Sequence, residues 1–229
     1  MTDPRTVTFV VLILAGVWML GVLSWLLLDA AGRLQTSQAK QTARITVIVV
    51  LAWAVAACSV AAFVPLSFPV FLPMALVPIT LGTLAVMRPP LSEVLSQIRL
   101  APLIAAQFYR NAGAIFLYLY YTTGSLSWGF ARNAGWGDVA TGVLALPVAW
   151  LVWKRAPYAS MAVIGWCSLG IADLIVAPMS ALYFGVEQLV QFPINTVPLF
   201  LGPPLGIFLQ IVVLRAWWLQ RKATQTKAD

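Results

Sequence analysis

Long apolar runs separated by short polar links set the pattern of this chain. Seven such runs can be marked, 7–28, 45–63, 68–87, 103–123, 138–153, 158–177 and 195–219. Most approach the roughly 20 residues that a helix needs to cross about 30 Å of hydrocarbon. None alternates with the period of two that a barrel strand would show, so the runs read as helices. Between the third and fourth, Leu91, Val94, Leu95 and Ile98 recur at helical spacing opposite Ser92, Glu93, Gln97 and Arg99. That pattern predicts a short interfacial helix over 91–100. The expected architecture is therefore all-α, a single transmembrane domain over 1–229 with seven transmembrane helices.

Prolines and glycines punctuate the runs. Pro73 and Pro78 interrupt the third, and Pro198, Pro203 and Pro204 the seventh. Each removes a backbone donor and frees a carbonyl that neighbours or water must satisfy, and a broken seventh span resembles the discontinuous helices found at transporter midplanes. The stretch from Gly124 to Gly137 is rich in Gly, Ser and Asn and holds Trp128, Phe130 and Trp136. It reads as a loop at headgroup depth, where indole rings are favoured. The fifth span then starts at Asp138 and is short. Residues 178–194 read as an outer link, with Leu182, Val186 and Leu189 spaced for a second surface helix.

Composition agrees with a membrane setting: 61% of residues are hydrophobic and 9% charged, against roughly 45–50% and about 25% in soluble domains. Histidine is absent and the two cysteines, Cys58 and Cys167, lie in apolar runs without motif spacing. The usual ligands for haem, zinc or copper are thus missing, and no cofactor is expected. No phosphate-binding loop or Gly-x-Ser-x-Gly nucleophile motif occurs. Lys40, Lys154, Lys222 and Lys227 all fall at one surface, so no lysine is placed to carry a retinal Schiff base.

The basic residues orient the chain. Arg33, Lys40, Arg44, Arg88, Arg99, Lys154, Arg155, Arg215, Arg221, Lys222 and Lys227 share one side of a seven-span topology, and only Arg5 and Arg132 lie on the other. The positive-inside bias puts the first side in the cytoplasm, the N-terminus outside and the C-terminus inside. The net charge of +7 then reflects this bias and attraction to the lipid bilayer's anionic inner face. With no soluble basic face, nucleic acid is not an expected partner.

One charged residue has no place in this scheme. Arg110 falls inside the fourth span, and at mid-membrane an arginine costs about 2.5 to 3.5 kcal/mol on insertion scales unless it finds a partner. Gln107, Arg110, Asn111, Ala114, Tyr118 and Tyr121 follow one another at steps of three or four, a polar stripe that should face protein or water. Candidate partners are Asp138, above the small-residue stripe Thr141, Gly142 and Ala145, and Asp173 on the sixth span. Rise per residue puts Arg110 nearer the inner half and both carboxylates nearer the outer half. A direct pair then needs an outstretched arginine, and water or Tyr118 is the expected intermediary. Asn195 and Gln210 are the only side-chain amides of the seventh span.

Arg110, Gly113 and Phe116, then Gly135-Trp136-Gly137-Asp138, then Gly170-Ile171-Ala172-Asp173, resemble a group of uncharacterised bacterial inner-membrane proteins. The resemblance covers the last half of the chain and implies a multi-pass protein of the bacterial cytoplasmic membrane, with no activity attached. The residues themselves suggest an intramembrane site made by Gln107, Arg110, Asn111, Tyr118, Asp138, Asp173, Asn195 and Gln210 for a small anionic or zwitterionic solute, bound or transported. Two alternatives stand beside it. One is a non-catalytic accessory or assembly subunit in which the charges only lock helices; the other is a lipid-modifying enzyme with Asp138 or Asp173 as general base.

Overall fold

In lipid each backbone N–H and C=O must be bonded within the protein, which leaves helices as the economical answer to such apolar runs. The computed structural model describes residues 3–186 and 191–225, and every regular element among them is helical. In order they are α1 (Pro4–Leu34), α2 (Ser37–Phe63), α3 (Phe68–Met87), α4 (Leu91–Ser96), α5 (Leu100–Ala106), a 3-10 segment (Gln107–Gly113), α6 (Ala114–Thr123), α7 (Trp128–Trp153), α8 (Ala159–Phe184), a π-helical turn (Val197–Leu201) and α9 (Pro203–Gln225). Six helices are long and apolar enough to cross a bilayer: α1, α2, α3, α7, α8, and the π turn taken together with α9. The chain is a multi-pass membrane protein. Its fourth apolar run is a rod of three consecutive pieces, α5, the 3-10 segment and α6.

The last helix is the core of the bundle. In the crossing from Val197 to Ala223, 72% of the apolar window is buried, against 11–39% in the other five. It packs on α3, α8, α4 and α5, while α7 lies between α8 and the three-piece rod, and α1 covers the rod's other side. Leu199, Leu205, Leu209, Val213 and Ala216 are fully enclosed there. The helices α2 and α3, though consecutive, scarcely touch each other.

Four expectations about the elements are corrected. The stretch 128–137 is helical rather than a headgroup loop, so the fifth span is α7 and Asp138 lies ten residues, or about 15 Å, below its first turn. Ser127 caps that turn, accepting from Phe130 N at 3.3 Å. Ala131, Ala134 and Gly135 of the stretch read as a loop instead extend the small-residue stripe of Asp138, Thr141, Gly142 and Ala145, all buried at steps of three and four, the spacing that lets helices approach closely in membranes. Next, α8 continues through Pro178 to Phe184, so Leu182 belongs to a span. Leu189 of the suggested surface helix lies outside the described residues, as does Lys227. Finally, α3 runs unbroken past Pro73 and Pro78, and the helix after Pro90 ends at Ser96 rather than at 100.

One end of the bundle gathers the basic residues. Arg33 and Arg99 converge on Asp29 at 2.7 and 3.3 Å, and Arg221, Lys154 and Arg215 sit over the rings of Trp217, Trp153 and Trp218. Such cation-aromatic pairs suit the polar boundary of a bilayer.

Candidate functional site

The 3-10 segment builds the site. Its tighter winding turns each residue by about 120° instead of about 100° and raises it by about 2.0 Å instead of 1.5 Å. Residues three apart therefore eclipse, and Gln107, Arg110 and Gly113 share one buried line. Over the three steps from Gln107 to Arg110 the extra rise amounts to about 1.5 Å, a small gain in reach for a long side chain. No intermediary is needed. Arg110 donates from Nε and Nη2 to Asp138 Oδ1 at 2.9 and 2.7 Å, from Nη2 to Asp173 Oδ2 at 2.5 Å, and from Nη1 to the carbonyl of Gly170 at 3.3 Å. The arginine pairs with both acids at once.

Burial makes these contacts count. The Arg110 side chain keeps 1% of its exposure, Asp138 12% and Asp173 8%. A guanidinium with four of its five N–H groups directed at acceptors is well matched to a dry site. One guanidinium faces two carboxylates, so the trio carries one net negative charge when all three are ionised.

Glycines shape the hole in which the trio sits. A Cβ on Gly113 would collide with the Asp138 side chain, one on Gly137 with Asp173, and one on Gly170 with Gln210 and Arg110. Each glycine belongs to a different element, the 3-10 segment, α7 and α8, and each removes the methyl that would hold the backbones apart. Sequence reading had these glycines in view as parts of a resemblance and, for Gly137, as the end of a loop. Their signal was positional: Gly113 follows Arg110 by three, Gly137 precedes Asp138, and Gly170 precedes Asp173 by three.

Beside the trio, Gln210 Nε2 donates to Gln107 Oε1 at 3.2 Å, with both side chains fully buried. Gln107 Nε2 and Gln210 Oε1 find no partner. The other three expected members lie elsewhere. Asn111 donates to the carbonyl of Phe108 at 2.8 Å and packs against Gly142. Tyr118 is half-buried against the apolar core and takes no part in the trio's hydrogen bonds. Asn195 donates to the carbonyl of Ala61 at 2.7 Å, joining the π turn's approach to the end of α2. The α-helical stripe had aligned Asn111 and Tyr118 with Arg110; the 3-10 winding rotates Ala114, Tyr118 and Tyr121 away from its line, and Tyr121 is 73% exposed.

A residue that the stripe did not include, Tyr109, ties the rod to the seventh apolar run. Its hydroxyl donates to the carbonyl of Leu201 at 2.9 Å, a group at the end of the π turn. Gly202 then closes that turn by donating to Val197 O at 2.6 Å, and Pro203 and Pro204 begin α9. The break expected in the seventh span is thus a π turn, a form frequent at functional sites, and it is fastened to the rod that carries Arg110.

Two cavities meet at Asp138. The larger, of about 70 Å³, is walled by Phe71, Phe116, Phe130, Leu174 and Pro203, and among the described residues Asp138 is the only ionisable one that lines it. The smaller, of about 10 Å³, touches Tyr109, Arg110, Gly113 and Leu201, room for about one water. Val197 and Gly202 line both. The arrangement offers an apolar chamber with a carboxylate at its base and an ion-paired guanidinium behind. Among the described residues, no group of three His, Cys, Asp or Glu side chains is close enough to hold a metal.

The model of a family described as a domain of unknown function (DUF8737) matches residues 67–218. No curated protein and no solved structure matches the chain.

Proposed function

We propose that the chain, which belongs to the DUF8737 family, binds a small zwitterionic solute at the Arg110–Asp138–Asp173 cluster and passes it across a bacterial inner membrane. The observation that carries this reading is the chamber itself. A charged trio that only locked helices would be enclosed by packed side chains, whereas Asp138 forms the base of an empty apolar space and borders a second one. Of the two solute classes, the zwitterion is favoured over the simple anion. Arg110 already faces two carboxylates, so an anion must displace one of them, while a solute's cationic end meets the trio's net negative charge. The chamber is small and aromatic, which limits the solute to a few heavy atoms with an apolar body.

A seventh crossing belongs to the same proposal. The rod from Leu100 to Thr123 spans about 40 Å by its α and 3-10 rises, enough for the hydrocarbon core. With seven crossings the ends face opposite sides, and the basic end of the bundle marks the cytoplasm. The N-terminus is then outside and the C-terminus inside. The accessory-subunit reading has its own support in the glycine-packed fit of the trio, which resembles a lock between three elements. A thermal-shift panel of zwitterionic solutes separates the two. Saturation at a hundredfold over Kd adds about 2.7 kcal/mol, a rise of roughly 5–10 °C in a chain of this length. The expected result is such a rise in the wild type, lost in Asp138→Asn and in Ala181→Leu, which adds bulk to the chamber wall two turns away from Asp173. A panel that stabilises neither the wild type nor any variant, together with copurification of a stoichiometric partner, would overturn the solute reading.

A further inference from the structure

The solute site leaves the cleft between α2 and α3 without a role. It measures about 430 Å³ and is walled by Ile45, Val49 and Trp53 of α2 and by Leu81 and Ala85 of α3. Its floor is Phe208 of α9, whose ring lies where a Cβ on Gly82 would be. The two helices leave the cleft open because each turns little toward protein. The buried residues of α2 are all alanines, and α3 buries only Ala75 and Val86.

The mouth of this cleft is basic. Its lining begins at Ile45, next to Arg44, and reaches Ala85 and Leu91 on either side of Arg88. Arg44 and Arg88 are both exposed, as is Lys40 one turn before Arg44, and among the described residues none of the three is ion-paired. The chain's own acids are engaged elsewhere: Asp29 by Arg33 and Arg99, Asp138 and Asp173 by Arg110, and Asp3 as the cap of α1. Of the described acids only Glu93 is left, so a second copy of the chain would bring more positive charge to this mouth and little to neutralise it. A lipid phosphate does the opposite.

We propose that the α2–α3 cleft holds one acyl chain of an anionic phospholipid whose phosphate is bound by Arg44 and Arg88. From Ile45 to Trp53 the cleft follows about 12 Å of α2, parallel to the direction in which acyl chains run. The guanidinium groups sit where the headgroup layer of the leaflet at the basic end begins, and a phosphate there gains charge-assisted hydrogen bonds.

The test is native mass spectrometry of the full chain after equilibration in mixed phosphatidylglycerol and phosphatidylcholine vesicles. One phosphatidylglycerol should be retained in preference to phosphatidylcholine. Each arginine is expected to contribute roughly a fivefold preference, so Arg44→Gln with Arg88→Gln lowers retention about 25-fold. Ala85→Phe, which fills the cleft without changing charge, should lower it comparably, while Lys154→Gln with Arg155→Gln at the same end should not. Retention by Ala85→Phe equal to wild type, or equal losses in the Lys154/Arg155 pair, would show a diffuse charge effect and overturn the site. A dimer whose formation protects Ala85→Cys from alkylation would instead assign the cleft to a second copy and also overturn it.

Discussion

Replacing Arg110 with methionine keeps much of the side chain's length and removes all four of its donated hydrogen bonds. Two carboxylates then face one hole with no cation between them. Breaking a buried ion pair by removing one partner costs about 3–5 kcal/mol, most of it the penalty of the stranded charge. For a chain of this length about 2–4 °C accompanies each kcal/mol, so the midpoint should fall by roughly 6–20 °C. The design gains its force from a second variant. Arg110→Met combined with Asp138→Asn and Asp173→Asn removes the stranded charges while leaving shape almost unchanged, and replacing a whole buried charged group is often near neutral. At least half of the lost stability should return. Tryptophan fluorescence during thermal unfolding in detergent reads both, and the non-additivity of the single and combined variants gives the coupling. A triple variant no more stable than Arg110→Met would refute the reasoning, because the loss would then come from packing and not from uncompensated charge.

Three further outcomes are expected. Gly113→Ala and Gly137→Ala push a methyl into Asp138 and Asp173 and should each lower stability by about 1–3 kcal/mol, whereas Gly21→Ala, which meets nothing within 4 Å, should be neutral or raise it by about 0.5–1 kcal/mol; thermal unfolding checks both. Gln107→Leu or Gln210→Leu alone leaves the remaining amide without its partner and should cost about 1–3 kcal/mol, while the double substitution should be close to neutral, again by unfolding. Membrane-impermeant labelling of a cysteine introduced at Thr36 or Ala156 should require permeabilised cells, and one at Ser125 should not; the reverse pattern would invert the proposed orientation.

Much of the bundle was legible because lipid imposes a simple rule, that apolar runs become helices and basic links stay together. The third apolar run is a helix with the bounds read for it, Phe68–Met87, and the two acids named as partners of Arg110 are the two it pairs with. What escaped was winding. A 3-10 segment is set by the packing of Gln107, Arg110 and Gly113 against three neighbours, and no local propensity announces it, so the reading at α-helical pitch misplaced Tyr118 and left Tyr109 out. The start of α7 was missed for a related reason. Gly129, Gly135 and Gly137 weaken a helix in water, where exposed backbone competes for solvent, but in a membrane bundle the same residues let α7 approach its neighbours. Composition alone cannot distinguish those two uses of glycine, whereas their spacing from Arg110, Asp138 and Asp173 could have.

The most direct measurement is the carbon-carbon coupling between Arg110 Cζ and the carboxyl carbons of Asp138 and Asp173, obtained by solid-state NMR on the full chain in lipid bilayers. Strong contacts from the one guanidinium carbon to both carboxyl carbons are expected, with Asn substitution at either position removing only its own cross-peak. A guanidinium that couples instead to lipid phosphorus, with neither carboxyl within range, would contradict the account.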